Sequence, residues 1–189
     1  MIVILDFGSQ YTQLIARRIR EARVYCEIHP FNVSAETLRK LHPEGVILSG
    51  GPASVYAPAA PQPDPRIFDL GLPVLGICLG LHIIATKYGG SVHPGHSGGY
   101  GPVDVEICDQ DEILKGYPDT MNVWASHADE VTSVPDGFTL LARSAICGAE
   151  AIARPDQHIY GLQWHPEVSH TFEGRRVFEN FDRIIRESC

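Results

Sequence analysis

The first half of the chain alternates short apolar runs with segments of helical period. Met1 to Asp6 is a β-branched apolar run and predicts a buried strand. Phe7-Gly8-Ser9 predicts a turn, and Gln10 to Glu21 a helix with Leu14, Ile15 and Ile19 on one face. Arg23 to Ile28 predicts a second strand, Ala35 to Leu41 a short helix, and Gly45 to Leu48 a third strand ending in Ser49-Gly50-Gly51-Pro52. Residues 53 to 66 are rich in Pro and Ala and predict a long connection. Val74 to Ile77 predicts the next strand and Leu79 to Tyr88 its helix, stopped by Gly89-Gly90. Strands that alternate with helices imply an α/β fold: an open, mostly parallel central sheet with helices on both faces.

The second half changes rhythm. Val103 to Cys108, Met121 to Ala125, Phe138 to Ser144, Ala149 to Arg154 and Ile159 to Trp164 predict strands. Turn signals such as Pro135-Asp136-Gly137 and Pro155-Asp156 separate them, which predicts a smaller antiparallel β portion. A helix from about Gly174 to Glu187 follows, with Val177, Phe178, Phe181, Ile184 and Ile185 at helical spacing. No repeat or linker interrupts the pattern, so one domain over residues 1–189 is expected.

Composition narrows the class. A chain of 189 residues with 44% hydrophobic and 20% charged residues is long enough to bury one core. A net charge of −8, with no basic run, argues against nucleic-acid binding. No stretch is long enough to span a bilayer, so no membrane partner is expected. The opening Met1-Ile2-Val3-Ile4-Leu5-Asp6 lacks the basic flank of a signal peptide, and a cytoplasmic location is expected. The five cysteines, Cys26, Cys78, Cys108, Cys147 and Cys189, are scattered and never in C-x-x-C spacing, which predicts neither a disulfide framework nor a metal site.

One of them sits in a special place. Gly76-Ile77-Cys78-Leu79-Gly80 joins a predicted strand to a predicted helix, the arrangement of a Gly-x-nucleophile-x-Gly elbow with sulfur in place of oxygen. A thiol at a helix N-terminus feels the positive end of the helix dipole, which favours the thiolate. Taken alone the segment reads equally as a buried core cysteine. A nucleophile needs a base, and the base needs an orienting acid. His165-Pro166-Glu167 follows an apolar strand and offers both, since alternate strand side chains point the same way. Ser49-Gly50-Gly51-Pro52, at the end of a strand expected beside that of Cys78, lets backbone amides approach a ligand.

These segments, in this order, resemble the class I (triad) glutamine amidotransferases over essentially the whole chain. Within that family the resemblance is to the amidotransferase part of GMP synthetases. It is carried by Leu5-Asp6-Phe7-Gly8-Ser9-Gln10-Tyr11, Ser49 to Tyr56, Val123-Trp124-Ala125-Ser126-His127-Ala128-Asp129 and His165-Pro166-Glu167-Val168-Ser169-His170-Thr171. It implies a flavodoxin-like sheet and a mechanism on L-glutamine. Cys78 would attack the side-chain amide, with His165 as acid and base and Glu167 orienting it. The amides of Gly51 and Leu79 would form the oxyanion hole. Gly50, Gly80, His82, Ser126, His127 and Asp129 would contact substrate, the last three from an S-H-x-D loop. The chain itself would need no cofactor or metal. Its partner would be an ATP-pyrophosphatase subunit or domain that uses ATP and Mg²⁺ to turn XMP into GMP with the released ammonia.

The chain departs from the family pattern twice. His82 stands where the family has the glutamine of C-x-G-x-Q, and Ser97-Gly98-Gly99 precedes Tyr100-Gly101 where the family has Arg-Glu. These departures keep a second reading open, a catalytically weak homologue that serves as a regulatory or partner-binding module. A third, a triad hydrolase acting on γ-glutamyl peptides, shares the elbow but is disfavoured by Ser126-His127-Ala128-Asp129 and His165 to Thr171. His93 and His96 fall in a predicted Pro/Gly loop, and Cys26, Cys108 and Cys147 are expected to be inert.

Overall fold

The computed structural model describes residues 1–188, and 96–99 by their backbone alone. Cys189 and the side chains of residues 96–99, where His96 and the Ser97-Gly98-Gly99 departure fall, lie outside the described residues.

Five strands and three helices alternate first: β1 (Ile2–Asp6), α1 (Thr12–Glu21), β2 (Cys26–Pro30), α2 (Ala35–Leu41), β3 (Gly45–Leu48), β4 (Val74–Ile77), α3 (Leu79–Lys87) and β5 (Ser91–Ile107). Then come β6 (Thr120–Ser133), β7 (Thr139–Ser144), β8 (Ala151–Arg154), β9 (Ile159–Leu162) and α4 (Arg175–Ser188). All nine strands join one sheet in the order β2-β1-β3-β4-β9-β8-β7-β5-β6. From β2 to β9 the neighbours are parallel; from β9 to β6 they are antiparallel. The parallel and antiparallel portions expected from the sequence are thus halves of a single mixed sheet, joined because β9 inserts between β4 and β8.

Strand alternation sorts the core. Ile2, Ile4, Ile47, Leu75 and Ile77 pack with Ile15 and Ile19 of α1 and with Val177, Phe181 and Ile184 of α4. Val3, Leu5, Val46, Leu48 and Val74 pack instead with Leu38 of α2 and with Ile83 and Ile84 of α3. Helix α3 is buried from Leu79 through Ala85. Its remaining flank is covered by Val92, Val131, Ala149 and Ile152, against Leu81 and Ala85. A helix enclosed on every side is apolar all round, and the one imidazole on it, His82, is enclosed with it.

Three expectations from the sequence need correction. The second strand begins at Cys26, not Arg23, because Arg23 adopts a positive φ of 61° and turns the chain. Strands β5 and β6 run well beyond Val103–Cys108 and Met121–Ala125 and pair with each other antiparallel over most of their length. His93 therefore lies in a strand, and so do Ser126, His127 and Asp129, where the resemblance implies a loop. Prolines, glycines and polar residues hide the strand propensity there. The inward alternation nonetheless continues through Met121, Val123, Ala125 and His127. Beyond Val105–Ile107, where β5 also meets β7, the pair forms a two-stranded ribbon.

Candidate active site

The ends of the parallel strands converge on one cavity. In an open α/β sheet ligands bind beyond the carboxyl ends of the strands, where the strand order reverses. Here the order reverses between β1 and β3. A cavity of about 500 Å³ lies there, lined by Gly8–Tyr11 after β1, Gly51–Ser54 after β3, Cys78 and Leu79 after β4, and His165 after β9. His82 of α3, Tyr100 of β5 and Ser126–Asp129 of β6 complete the wall.

Cys78 is held in a strained elbow, with φ 54° and ψ −107°. A side chain rarely adopts such a backbone, and strain of this kind persists only when the surroundings fix it. They do so here. The Cys78 amide donates to the carbonyl of Leu162 at the end of β9, 2.8 Å away. The turn closes so tightly that a Cβ on Gly76 would stand 2.6 Å from the backbone of Gly80, and one on Gly80 would overlap the Leu48 carbonyl. Both glycines of the elbow motif are therefore required by close approach.

The base arrives on the strand paired with the nucleophile's own. Gly76 of β4 is in register with Gly161 of β9, and Ile77 with Leu162. Three residues past the end of β9, His165 is 3% exposed and its Nδ1 lies 2.9 Å from Oε1 of the fully buried Glu167. The Nδ1–H donates to the carboxylate, which leaves Nε2 for the sulfur. Burial opposes charge on the ring, but the Glu167 carboxylate and the Cys78 sulfur outweigh it and push His165 up to about 11. The ring is thus held as an imidazolium beside a sulfur, the pairing that thiolate chemistry needs. The edge of the Tyr11 ring system packs on it, centroids 5.1 Å apart and planes at 71°.

Several neighbours hold this pair in place. The His165 amide donates to the Trp124 carbonyl at 3.0 Å. The Thr171 hydroxyl accepts from the Trp124 amide at 2.9 Å and donates to the His165 carbonyl. Arg18 of α1 donates from Nε to the Glu167 carbonyl at 3.0 Å. The Ser49 hydroxyl accepts from the Phe7 amide and donates to the Gly50 carbonyl, both at 2.9 Å, and so ties the loops after β1 and β3 together.

The other expected residues are placed as follows. A Cβ on Gly50 would stand 3.0 Å from His165 Cε1 and 3.3 Å from Cys78 Cβ, so Gly50 keeps open the space beside both. A Cβ on Gly51 would overlap the Phe7 carbonyl and stand 3.0 Å from Leu79 Cδ2. Leu79 opens α3, where the first amides of a helix have no partner within it and favour an anion. The Ser126 carbonyl lies 3.5 Å from Sγ. His127 donates from Nδ1 to the Asp129 carbonyl at 2.8 Å. Burial, against that hydrogen bond, lowers the pKa of His127, and the nearby His165 charge adds to the effect. Its buried Nε2, on the cavity wall, is then an acceptor. His82 Nε2 meets Gln163 Oε1 at 2.7 Å, and Gln163 Nε2 lies 3.7 Å from Sγ.

Sequence reasoning gives Ser49, Gln163 and Thr171 no role of their own. Each is a polar residue buried to 4% exposure or less, but that is visible only once the strands are assembled. Of the other described cysteines, none lines the cavity. Cys26 and Cys147 are buried, and burial pushes the Cys147 thiol up to about 12; Cys108 is exposed. Among the described residues no group of three His, Cys, Asp or Glu side chains could hold a metal ion.

Comparison with known proteins shows the family. Residues 3–184 match the family described as glutamine amidotransferase class-I. The chain is 54% identical over 186 residues to a GMP synthase [glutamine-hydrolyzing] subunit of Methanoregula boonei, covering 98% of each chain. It is 50% identical to the GMP synthase [glutamine-hydrolyzing] of Nitratiruptor, of which it spans only 36%. Among solved structures, a GMP synthase subunit protein of Thermoplasma acidophilum superposes with a TM-score of 0.87 at 33% identity, covering 98% of this chain and 94% of that one.

Proposed function

Because this chain belongs to the class-I glutamine amidotransferases, we propose that it hydrolyses L-glutamine and delivers the ammonia to an ATP-pyrophosphatase unit that converts XMP to GMP. The relatives whose names denote one subunit of the synthase are matched end to end, whereas the longer GMP synthases extend well beyond it. The 189 residues act as one amidotransferase domain with helices on both faces of its sheet. The synthetase partner is a separate subunit or a further domain, and ATP and Mg²⁺ belong to that partner. The site of action is the cytoplasm.

The Cys78 thiolate attacks the side-chain amide carbon of glutamine. The oxygen becomes an oxyanion, which the amides of Gly51 and Leu79 receive. His165 gives its proton to the departing nitrogen, ammonia leaves, and a γ-glutamyl thioester remains on Cys78. The now neutral His165 takes a proton from water, whose oxygen attacks the thioester. Glutamate leaves, and the thiolate–imidazolium pair is restored. Glu167 keeps the ring oriented and stabilises its charge in both halves. His127 Nε2 and Asp129, with Ser126, Gly50 and Gly80, bind the α-amino and α-carboxyl end of the substrate.

The observation that carries this reading is the buried 2.9 Å contact of His165 with Glu167 at a cavity whose floor is the strained Cys78. The test is glutamate release by the purified chain beside Cys78→Ala, alone and with an ATP-pyrophosphatase subunit, XMP and ATP-Mg²⁺. Cys78-dependent turnover supports it. No turnover from folded protein under either condition would leave the partner-binding module as the better reading.

A further inference from the structure

His82 stands on the buried helix α3 at the cavity wall, and its ring meets the Gln163 side chain at 2.7 Å. The Gln163 side chain is fully buried, and its far end reaches Cys78 Sγ at 3.7 Å. The three groups form a line: imidazole, amide, sulfur. We infer that His82 is a positioning residue for the nucleophile, locking the Gln163 amide with its NH₂ group turned toward Cys78 Sγ. This rests on the proposed role of Cys78 as the nucleophile.

The hydrogen-bonding inventory decides the direction. The amide oxygen can only accept and the amide nitrogen can only donate, and a thiolate can only accept. With the NH₂ group on the sulfur, the oxygen faces His82, which must then present Nε2–H. In the reverse arrangement the amide oxygen would face a sulfur anion, two acceptors in contact. That arrangement would set a second acceptor oxygen against the sulfur beside the Ser126 carbonyl, and it would leave the amide NH₂ of the fully buried Gln163 facing the ring instead of the sulfur. The His82 tautomer and the charge on sulfur are therefore linked through one side chain. Without a donor at Nε2 the amide is free to turn, and the sulfur loses a fixed dipole. His82 thus serves the sulfur, in a place where the resemblance implied a contact with substrate.

The titratable side chains that line the cavity with Cys78 are His165, with Glu167 behind it, His82 itself, Tyr11 and Tyr100, and His127 and Asp129 on β6. Among the described residues, His82 is the one joined to the sulfur through an amide that has two opposed orientations.

The experiment is alkylation of the full-length chain by iodoacetamide from pH 5 to 9, without glutamine or partner. The rate at Cys78 is followed by peptide mass and referred to that at the exposed Cys108 in the same sample. At pH 7 the Cys78 rate, so referred, should fall about three- to tenfold in His82→Leu and in Gln163→Leu, since each removes a hydrogen bond to the thiolate or its support. The double variant should fall no further than either one, and the inflection of the pH profile should move up in all three. His82→Gln, which places an N–H near the Nε2 position, should recover most of the rate. His82→Asn, whose amide falls short of it, should not. Should a Leu variant misfold, alkylation of the buried Cys26 and Cys147 reveals it, and the Gln and Asn pair decides. An unchanged Cys78 rate in His82→Leu, with a raised KM for glutamine, would overturn the inference in favour of direct substrate contact. Multiplicative losses in the double variant would overturn it too. Glutamate release plays no part in this readout, so a chain that proves inactive as a glutaminase still gives an answer.

Discussion

The Thr171 hydroxyl donates to the carbonyl of His165 across 2.6 Å while accepting from the Trp124 amide. One oxygen thus closes a ring between the base's own peptide and the strand that forms the opposite wall. The residue touches no reacting atom, yet it sets where the imidazole begins. Thr171→Val keeps the shape and strands two buried backbone groups. We expect a loss of about 1–3 kcal/mol in stability, and a fall in kcat larger than any rise in KM. Urea denaturation with steady-state kinetics would check both; an unchanged kcat would show that the clasp does not set the position of the base.

The backbone at Cys78 makes a prediction that separates strain from chemistry. At φ 54° a glycine is at ease and an alanine is not. Cys78→Gly should therefore be more stable than Cys78→Ala by about 1 kcal/mol or more, although glycine has the greater freedom to lose on folding. Both should be inactive. Equal melting temperatures would mean that the elbow stores no strain.

Glu167 is tested by its isostere. Glu167→Gln leaves the imidazole a neutral partner, and kcat should drop about 10²- to 10⁴-fold, in the range known for such orienting acids. Stability gives a second readout with a definite sign. His165 is raised from an ordinary 6.5 to about 11, so the protonated ring stabilises the fold fully below pH 6.5 and progressively less as pH rises toward 11. The stability gap between wild type and Glu167→Gln should be widest near pH 6 and shrink by pH 10. A gap that is flat with pH would mean that the ring is not held as a cation.

A second buried carboxyl, away from the chemistry, makes its own pH prediction. Glu150 is fully buried with Oε1 on the Ser144 hydroxyl at 2.8 Å. Burial, against that hydrogen bond and with help from Glu130, raises its carboxyl from 4.5 to about 7. The folded state then holds a proton that the unfolded chain releases, so stability is lost as pH climbs from about 4.5 to 7. Glu150→Gln removes that dependence. Relative to wild type it should gain about 1–3 kcal/mol between pH 5 and pH 8. Parallel denaturation curves at both values would show that the carboxyl titrates normally.

The parts legible in the sequence are those set by local pattern. The elbow glycines, the apolar run before His165 and the helical spacing of α4 all declare themselves over a few residues. What stayed hidden depends on partners far along the chain. Gln163 sits one residue past β9, and its part shows only once α3 brings His82 to it. Ser126 to Asp129 read as a polar loop because strand pairing with β5, not composition, makes them a strand. The insertion of β9 between β4 and β8 joins the parallel and antiparallel portions into one sheet, a pairing that no local pattern announces. His82 is legible only as a departure from a family motif; its hydrogen bond to Gln163 depends on a partner 81 positions along the chain.

The pairing of β4 with β9 also sets an order of events during synthesis. The nucleophile follows one strand and its base follows the other, and Cys78 and His165 lie 87 positions apart. The earlier strands can pair as they leave the ribosome, but the groove between β4 and β8 must wait for β9. The Thr171 clasp comes later still. Chains fold from the N-terminus as they are made, and distant pairings form slowly. A nascent chain therefore carries its cysteine through a long stretch of translation before it acquires the base that makes it reactive, and a truncated product would carry the thiol alone.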